Sequence, residues 1–151
     1  MRYFSGTATY ETTLEVPANL LKNNQALYLD LGRVKNIAEV RINGGAWTTL
    51  WKAPFRLEVT NRVQSGTNRL EVRVTNLWPN RLIGDEQQPD EVEWNGNAIK
   101  AWPEWLLQNR PRPKTNRITF TTWRFWQKDS PLLESGLLGP VTLQAVPVIP
   151  F

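Results

Sequence analysis

Val40-Arg41-Ile42-Asn43-Gly44-Gly45-Ala46-Trp47-Thr48-Thr49-Leu50-Trp51 reads as a β-hairpin. Val40 and Ile42 flank the charged Arg41, which is the two-residue period of a half-buried strand. Asn43-Gly44-Gly45 then signals a tight turn, because glycine accepts positive φ without steric cost. Ala46 to Trp51 reads as the returning strand. The same period recurs on both sides of this hairpin. Tyr10, Thr12, Leu14 and Val16 alternate with polar residues before Pro17, and Leu27, Leu29 and Leu31 alternate before Gly32. Phe55, Leu57 and Val59 come next, then the turn Ser65-Gly66-Thr67-Asn68, then Leu70, Val72 and Val74. Short strands at roughly 10–15 residue spacing with glycine turns predict an all-β sandwich of about eight strands. Arg117 to Phe125 reads as a further strand, with Ile118, Phe120 and Thr122 on one face and Thr119, Thr121 and Trp123 on the other. Gln127 to Gly139 reads as a loop, and Val141, Leu143 and Ala145 as the start of the closing strand. One domain over residues 1–151 is expected.

The strand pattern breaks over residues 76–116, a tryptophan-rich excursion that holds Trp78, Trp94, Trp102 and Trp105. Within it, Ala101-Trp-Pro-Glu-Trp-Leu-Leu107 suits one or two helical turns, with Pro103 at an N-terminal position. So long a connection in a small domain is usually functional or packs on another surface. It opens with Asn76-Leu-Trp-Pro-Asn-Arg-Leu-Ile-Gly-Asp-Glu86. Trp78 offers a flat apolar face, and Asn80, Arg81, Asp85 and Glu86 offer donors and acceptors. A sugar needs that mixture, because its C–H face stacks on an aromatic ring while its hydroxyls want polar partners.

Cysteine and histidine are both missing from the 151 residues. Their absence rules out disulfides, thiolate metal sites, cysteine nucleophiles and any histidine-dependent triad. No cofactor is expected, although Asp85, Glu86, Asp90 and backbone carbonyls could hold a structural calcium ion without an EF-hand-like loop. The formal charge of +4 is small for a nucleic-acid binder. The basic run Arg110 to Arg117 beside Trp105 has the makings of a single-strand site. It is answered by Asp85-Glu86, Asp90-Glu91 and Glu93, so no nucleic-acid partner is expected. No stretch is long and apolar enough for a membrane span, and no apolar signal-peptide core follows Met1-Arg2-Tyr3.

Ala38-Glu-Val-Arg-Ile-Asn-Gly44, Trp51-Lys-Ala-Pro-Phe55, Val59-Thr60 and Gly66-Thr-Asn-Arg-Leu-Glu-Val72 resemble the sugar-binding domain of glycoside hydrolase family 2. That resemblance implies a jelly-roll β-sandwich with a galactose-binding-like fold. Four further segments resemble the C-terminal domain of glycoside hydrolase family 106, the α-L-rhamnosidases. They are Ser5-Gly-Thr-Ala-Thr-Tyr10, Leu77-Trp-Pro-Asn-Arg-Leu-Ile-Gly-Asp-Glu86, Thr119-Phe-Thr-Thr-Trp123 and Ser130-Pro-Leu-Leu-Glu-Ser-Gly-Leu-Leu-Gly-Pro-Val141. The resemblance covers nearly the whole chain. It implies an accessory sandwich whose catalytic glutamates lie on a separate barrel, to which nothing here corresponds. The implied partners are that barrel and a plant or microbial polysaccharide, rhamnose-containing ones included. The implied setting of the parent enzyme is extracellular or periplasmic.

Six of the eight tryptophans fall between Trp78 and Trp126. Trp47 and Trp123 sit in strand patterns and are the best core candidates. The candidate ligand-binding set is Trp78, Asn80, Arg81, Asp85, Glu86, Trp94, Trp102 and Trp105, with no catalytic residue. Three other readings stay open. Arg81 with Asp85 or Glu86 could be an ion pair that braces the loop. The rings could be glue to a neighbouring domain. Asp85, Glu86, Glu91 or Glu104 could supply the carboxylate pair of a small glycosidase.

Overall fold

A computed structural model of the chain describes residues 2–21 and 24–148. The backbone gathers into two compact units. One comprises Gly6–Leu77 and Glu134–Phe151, the other Met1–Ser5 and Trp78–Leu133.

The first unit carries the regular sheet structure. Its strands are β1 (Thr7–Val16), β2 (Gln25–Asp30), β3 (Arg33–Lys35), β4 (Ile37–Ile42), β5 (Thr48–Leu50), β6 (Arg56–Glu58) and β7 (Gly66–Thr75). After the second unit, with its strands β8 (Trp94–Asn95) and β9 (Ala98–Ile99), the chain returns as β10 (Gly136–Gly139) and β11 (Thr142–Pro147). A four-stranded antiparallel sheet runs in the order β1-β7-β4-β5, a three-stranded one in the order β11-β2-β6, and β10 pairs with β3. The expected hairpin joins β4 to β5, with Val40 opposite Thr48. Asn43 and Gly44 both have positive φ, and the Gly45 amide donates to the Ile42 carbonyl at 2.9 Å. Two consecutive positive φ values match the right-handed twist of the strands they join.

Period-two patterning builds the core. Ala38, Val40 and Ile42 of β4 and Leu70, Val72 and Val74 of β7 share one face of the four-stranded sheet. They cluster with Leu27 and Leu29 of β2 and with Leu31, Phe55 and Val59. Two sheets with their apolar faces merged in one cluster are a β-sandwich, and the all-β fold expected from the sequence is present. Asn68 is buried among these aliphatics with its amide fully used. It donates to the Gln64 and Gly66 carbonyls and accepts from the Gln64 amide and the Asn43 side chain, all within 2.9 Å.

The outer face of the four-stranded sheet is polar. Arg41 lies opposite Glu71 in the register and forks onto it at 2.7 and 2.6 Å. Glu71 is 3% exposed. The Arg41 hydrogen bond holds the Glu71 carboxyl below its ordinary range, against the opposing effect of burial. The Arg41 and Arg73 guanidiniums both contact the Trp47 ring, at 4.4 and 4.1 Å from its centre. It is therefore not a core residue, contrary to the expectation from its strand pattern. Its ring is half-buried on the outer face, where cation–π contact substitutes for aliphatic packing.

The second unit has little regular structure. A seven-residue helix α1 (Pro79–Asp85) is followed by the short β8–β9 hairpin and the helical turn α2 (Glu104–Leu107), with Pro103 at its N-cap. The strand expected at Arg117 to Phe125 does not form. Its one bridge pairs Ala98 with Trp123. Side chains satisfy the backbone there in place of a ladder: Asp85 accepts from two of its amides, and Arg112 donates to three of its carbonyls. The loop expected at Gln127 to Gly139 ends as a strand, because Gly136–Gly139 pairs with β3.

Candidate functional site: an aromatic cleft with paired charges

Helix α1 positions the polar half of the predicted site, and its polar groups turn toward the protein. Asn80 is buried and binds the Leu133 backbone in both directions, each bond 2.8 Å. Asp85 is 1% exposed. Its Oδ2 accepts from the Ile118 amide at 3.1 Å, the Thr119 amide at 2.7 Å and the Thr119 hydroxyl at 2.6 Å. Its Oδ1 lies 3.2 Å from Arg81 Nη2, one helical turn back. Arg81 and Asp85 thus form the bracing ion pair, and Asp85 also staples α1 to residues 118–119. Tyr3 packs against the same helix, where an added Cβ on Gly84 would meet the Tyr3 Cβ at 2.5 Å.

Glu86, the next residue, joins a network of four charges. Its Oε1 meets Arg117 Nη1 at 3.0 Å and its Oε2 meets Arg124 Nε at 3.0 Å. Asp90 Oδ1 takes a second N–H from each arginine, at 2.9 Å from Arg117 and at close range from Arg124. Glu91 is held by Arg112 at 2.8 Å and by the Thr115 hydroxyl. Of the calcium candidates named above, Asp85 Oδ2, both Glu86 oxygens and Asp90 Oδ1 face N–H or O–H groups, whereas Asp85 Oδ1 is buried beside Arg81 without a hydrogen bond. Among the described residues no group of three or more acidic side chains converges as a metal site would require.

Around this network the second unit forms a cleft of about 150 Å³. Trp94, Phe120, Trp123, Phe125 and Trp126 line it together with Thr119, Thr121, Glu86, Glu91, Arg117 and Arg124. The Arg124 guanidinium lies 4.3 Å above the Trp94 ring. Phe125 and Trp126 meet edge to face at 5.0 Å. Trp123 is 58% and Phe125 71% exposed, so flat apolar surface lies open beside hydroxyls and charge-assisted donors.

The eight predicted ligand residues therefore separate. Trp94 and Glu86 line this cleft. Trp105 packs edge-on to Phe120 at 5.8 Å and lines a neighbouring hollow with Asp90, Glu91 and Arg117. Trp78 is 63% and Trp102 51% exposed, and neither belongs to the cleft lining. Asn80 and Asp85 hold the backbone in place, and Arg81 pairs with Asp85. Trp123 is an exposed cleft residue, not the core residue its strand pattern suggested. Sequence reasoning missed Phe120, Thr121, Trp123, Arg124, Phe125 and Trp126 as site residues. The available signal was Trp123-Arg-Phe-Trp126, three rings in four positions beside an arginine. Half of a strand's side chains point inward, and the segment looked like a strand.

Residues 2–119 match the family described as the glycosyl hydrolase 2 galactose-binding domain-like domain. A protein of Formosa agariphila, named "Putative beta-glucuronidase", is 57% identical over 97% of this chain. The structure of a rhamnosidase from Novosphingobium sp. PP1Y superposes with a TM-score of 0.68 and 38% identity over 93% of this chain. A β-glucuronidase from an uncultured Clostridium sp. aligns over 50% of this chain and 13% of its own, with 33% identity and a TM-score of 0.45. The chain spans 12% of the length of the Formosa protein and 11% of the rhamnosidase chain. With a two-sheet sandwich, one merged core and a family match over most of its length, the chain belongs to the glycosyl hydrolase 2 galactose-binding domain-like family.

Proposed function

We propose that this chain is a non-catalytic accessory domain of a larger, rhamnosidase-like glycoside hydrolase and that it holds carbohydrate in the aromatic cleft. The lining of the cleft carries this reading: exposed Trp123 and Phe125 beside Trp94 and Trp126, edged by Thr121 and by guanidiniums. An aromatic platform that covers the C–H face of a pyranose contributes roughly 1–2 kcal/mol. Two or three such rings contribute roughly 2–6 kcal/mol, which gives weak binding of about millimolar affinity, of order 4 kcal/mol. At about 150 Å³ the cleft holds a ring or two and does not enclose a chain. Glu86 and Glu91 are the carboxylates at hand, and both are engaged by arginine, which leaves neither placed to move a proton at a glycosidic oxygen. The parent enzyme would act on a plant or microbial polysaccharide outside the cell or in the periplasm, and its barrel would carry the chemistry.

Titrating the purified chain with a glycan panel while following tryptophan emission tests this. A saturable shift is expected. Trp123→Ala should abolish it, whereas Trp51→Ala, which removes an exposed ring from the sandwich unit, should leave the affinity unchanged. Silence across the panel, or a Trp123→Ala protein that binds as before, would end the carbohydrate reading.

A second reading, a purely structural domain packed on the catalytic barrel, is favoured by Ile118 and Leu107. Both are largely exposed, and aliphatic surface of this kind is of little use to a sugar. It predicts no glycan response and self-association of the isolated chain in sedimentation velocity.

A further inference from the structure

We infer that the cleft selects neutral saccharides and discriminates against uronates; this rests on the carbohydrate reading above and deepens it. The ground is the charge balance in and beside the lining, where Arg117 and Arg124 stand against Glu86 and Glu91, and Arg112 and Asp90 pair with them from outside it. Three guanidiniums, Arg112, Arg117 and Arg124, meet three carboxylates, Glu86, Asp90 and Glu91, and each ion has at least one partner of opposite sign. The side chains of Arg117 and Glu86 are 10% and 13% exposed. Glu86, Glu91 and Arg117 are thus largely withdrawn from water, whereas Asp90 is 43% exposed. What remains open to a ligand is ring surface and hydroxyl.

A uronate entering such a cleft has no cation of its own. Left unpaired, its carboxylate is desolvated against Trp123 and Phe125 and lies near the negative charge of Glu86 and Glu91, both unfavourable. If it captures Arg117 or Arg124, Glu86 and Asp90 each lose one of the two arginines they share, and loosening ion pairs that are partly withdrawn from water is costly. A neutral sugar avoids both penalties. It stacks on the rings and exchanges a hydroxyl hydrogen bond with Thr121. Selectivity arises here from a penalty on the wrong ligand as much as from attraction to the right one.

The test uses the full chain and one set of uronate-containing oligosaccharides, before and after reduction of each carboxylate to a primary alcohol. Backbone, linkage and length are then identical within a pair and only charge differs. Calorimetric or fluorescence titration should show the reduced member binding about tenfold tighter or more, the size expected where one charge pair must be broken or left unmade. Glu86→Gln removes one negative charge without changing shape and should raise affinity for the acidic member. Asp90→Asn, at a more exposed carboxylate, should do the same and serves if Glu86→Gln does not fold by circular dichroism. Wild-type protein that binds the acidic member as tightly as the neutral one overturns the inference and leaves the carbohydrate reading standing. Folded variants that leave the gap unchanged also overturn it. Failure of both members of every pair removes the carbohydrate reading, and this inference with it.

Discussion

The sandwich unit and the tryptophan-rich unit bury apolar and polar side chains in different proportions. In the sandwich, Leu27, Leu29, Val40, Val72 and their neighbours form a dry aliphatic cluster, and charges lie on the outer sheet face. In the other unit, among the described residues, Ile83 is the one hydrophobic residue in the buried set, whereas Asn80, Asp85 and Thr119 are buried polar groups. Trp78, Trp102, Trp123 and Phe125 stand at the surface, and Trp94, Trp105, Phe120 and Trp126 are half-buried. The first unit is thus stabilised mainly by removing apolar area from water, and the second by directed hydrogen bonds and ion pairs that hold an irregular backbone. A close-packed core fixes the sheets, and side-chain staples fix the loops. Rings carried on stapled loops can therefore be presented to a ligand without collapsing inward.

The largest effect should follow from opening the aliphatic core. Leu29→Ala removes a side chain that is 1% exposed and should cost about 2–5 kcal/mol, read from urea unfolding followed by far-UV circular dichroism. A loss under 1 kcal/mol would show that the core is not the main support of the sandwich. Asp85→Ala leaves the Ile118 and Thr119 amides and the Thr119 hydroxyl without their acceptor and Arg81 without its ion-pair partner, and should cost about 3–4 kcal/mol. Its signature should be regional, with near-UV tryptophan bands lost while the far-UV β-signal persists. Concerted loss of both signals would erase the contrast between the units. Gly84→Ala sets a methyl against Tyr3 Cβ and should cost about 1–3 kcal/mol, again with the near-UV signal leading.

The smallest effect is a pH dependence that belongs to the sandwich. Arg41 donates to Glu71, and this holds the Glu71 carboxyl below its ordinary value of 4.5; Arg33 does the same for Glu134. Both carboxylates are more acidic in the folded protein, so the unfolded chain binds more protons in that range. Their contribution is present above the unfolded carboxylate range and is lost as pH falls through the lower folded values. Glu71→Gln should flatten the acid limb of the stability curve. An unchanged acid limb would show that Glu71 carries no such linkage.

Much of the sandwich was legible because its information is local. The two-residue alternation in Val40 and Ile42 and in Leu70, Val72 and Val74 names the buried face, and Asn43-Gly44 names the turn, without knowledge of the partner strand. Trp47 misled because an inward period does not reveal that two arginines will contact a ring on the outer face. The tryptophan-rich unit was less legible for the same physical reason. Asn80 and Asp85 could have faced solvent or protein. What settles their roles is Leu133 and Thr119, 53 and 34 residues away in the chain. Composition and short-range pattern carried the all-β class, the hairpin and the concentration of rings after β7. Long-range hydrogen bonds, which no local period encodes, assigned the polar residues of α1 to the scaffold and opened Trp123 and Phe125 to the cleft. Strand alternation is a property of neighbouring residues, whereas a site is a property of distant ones brought together.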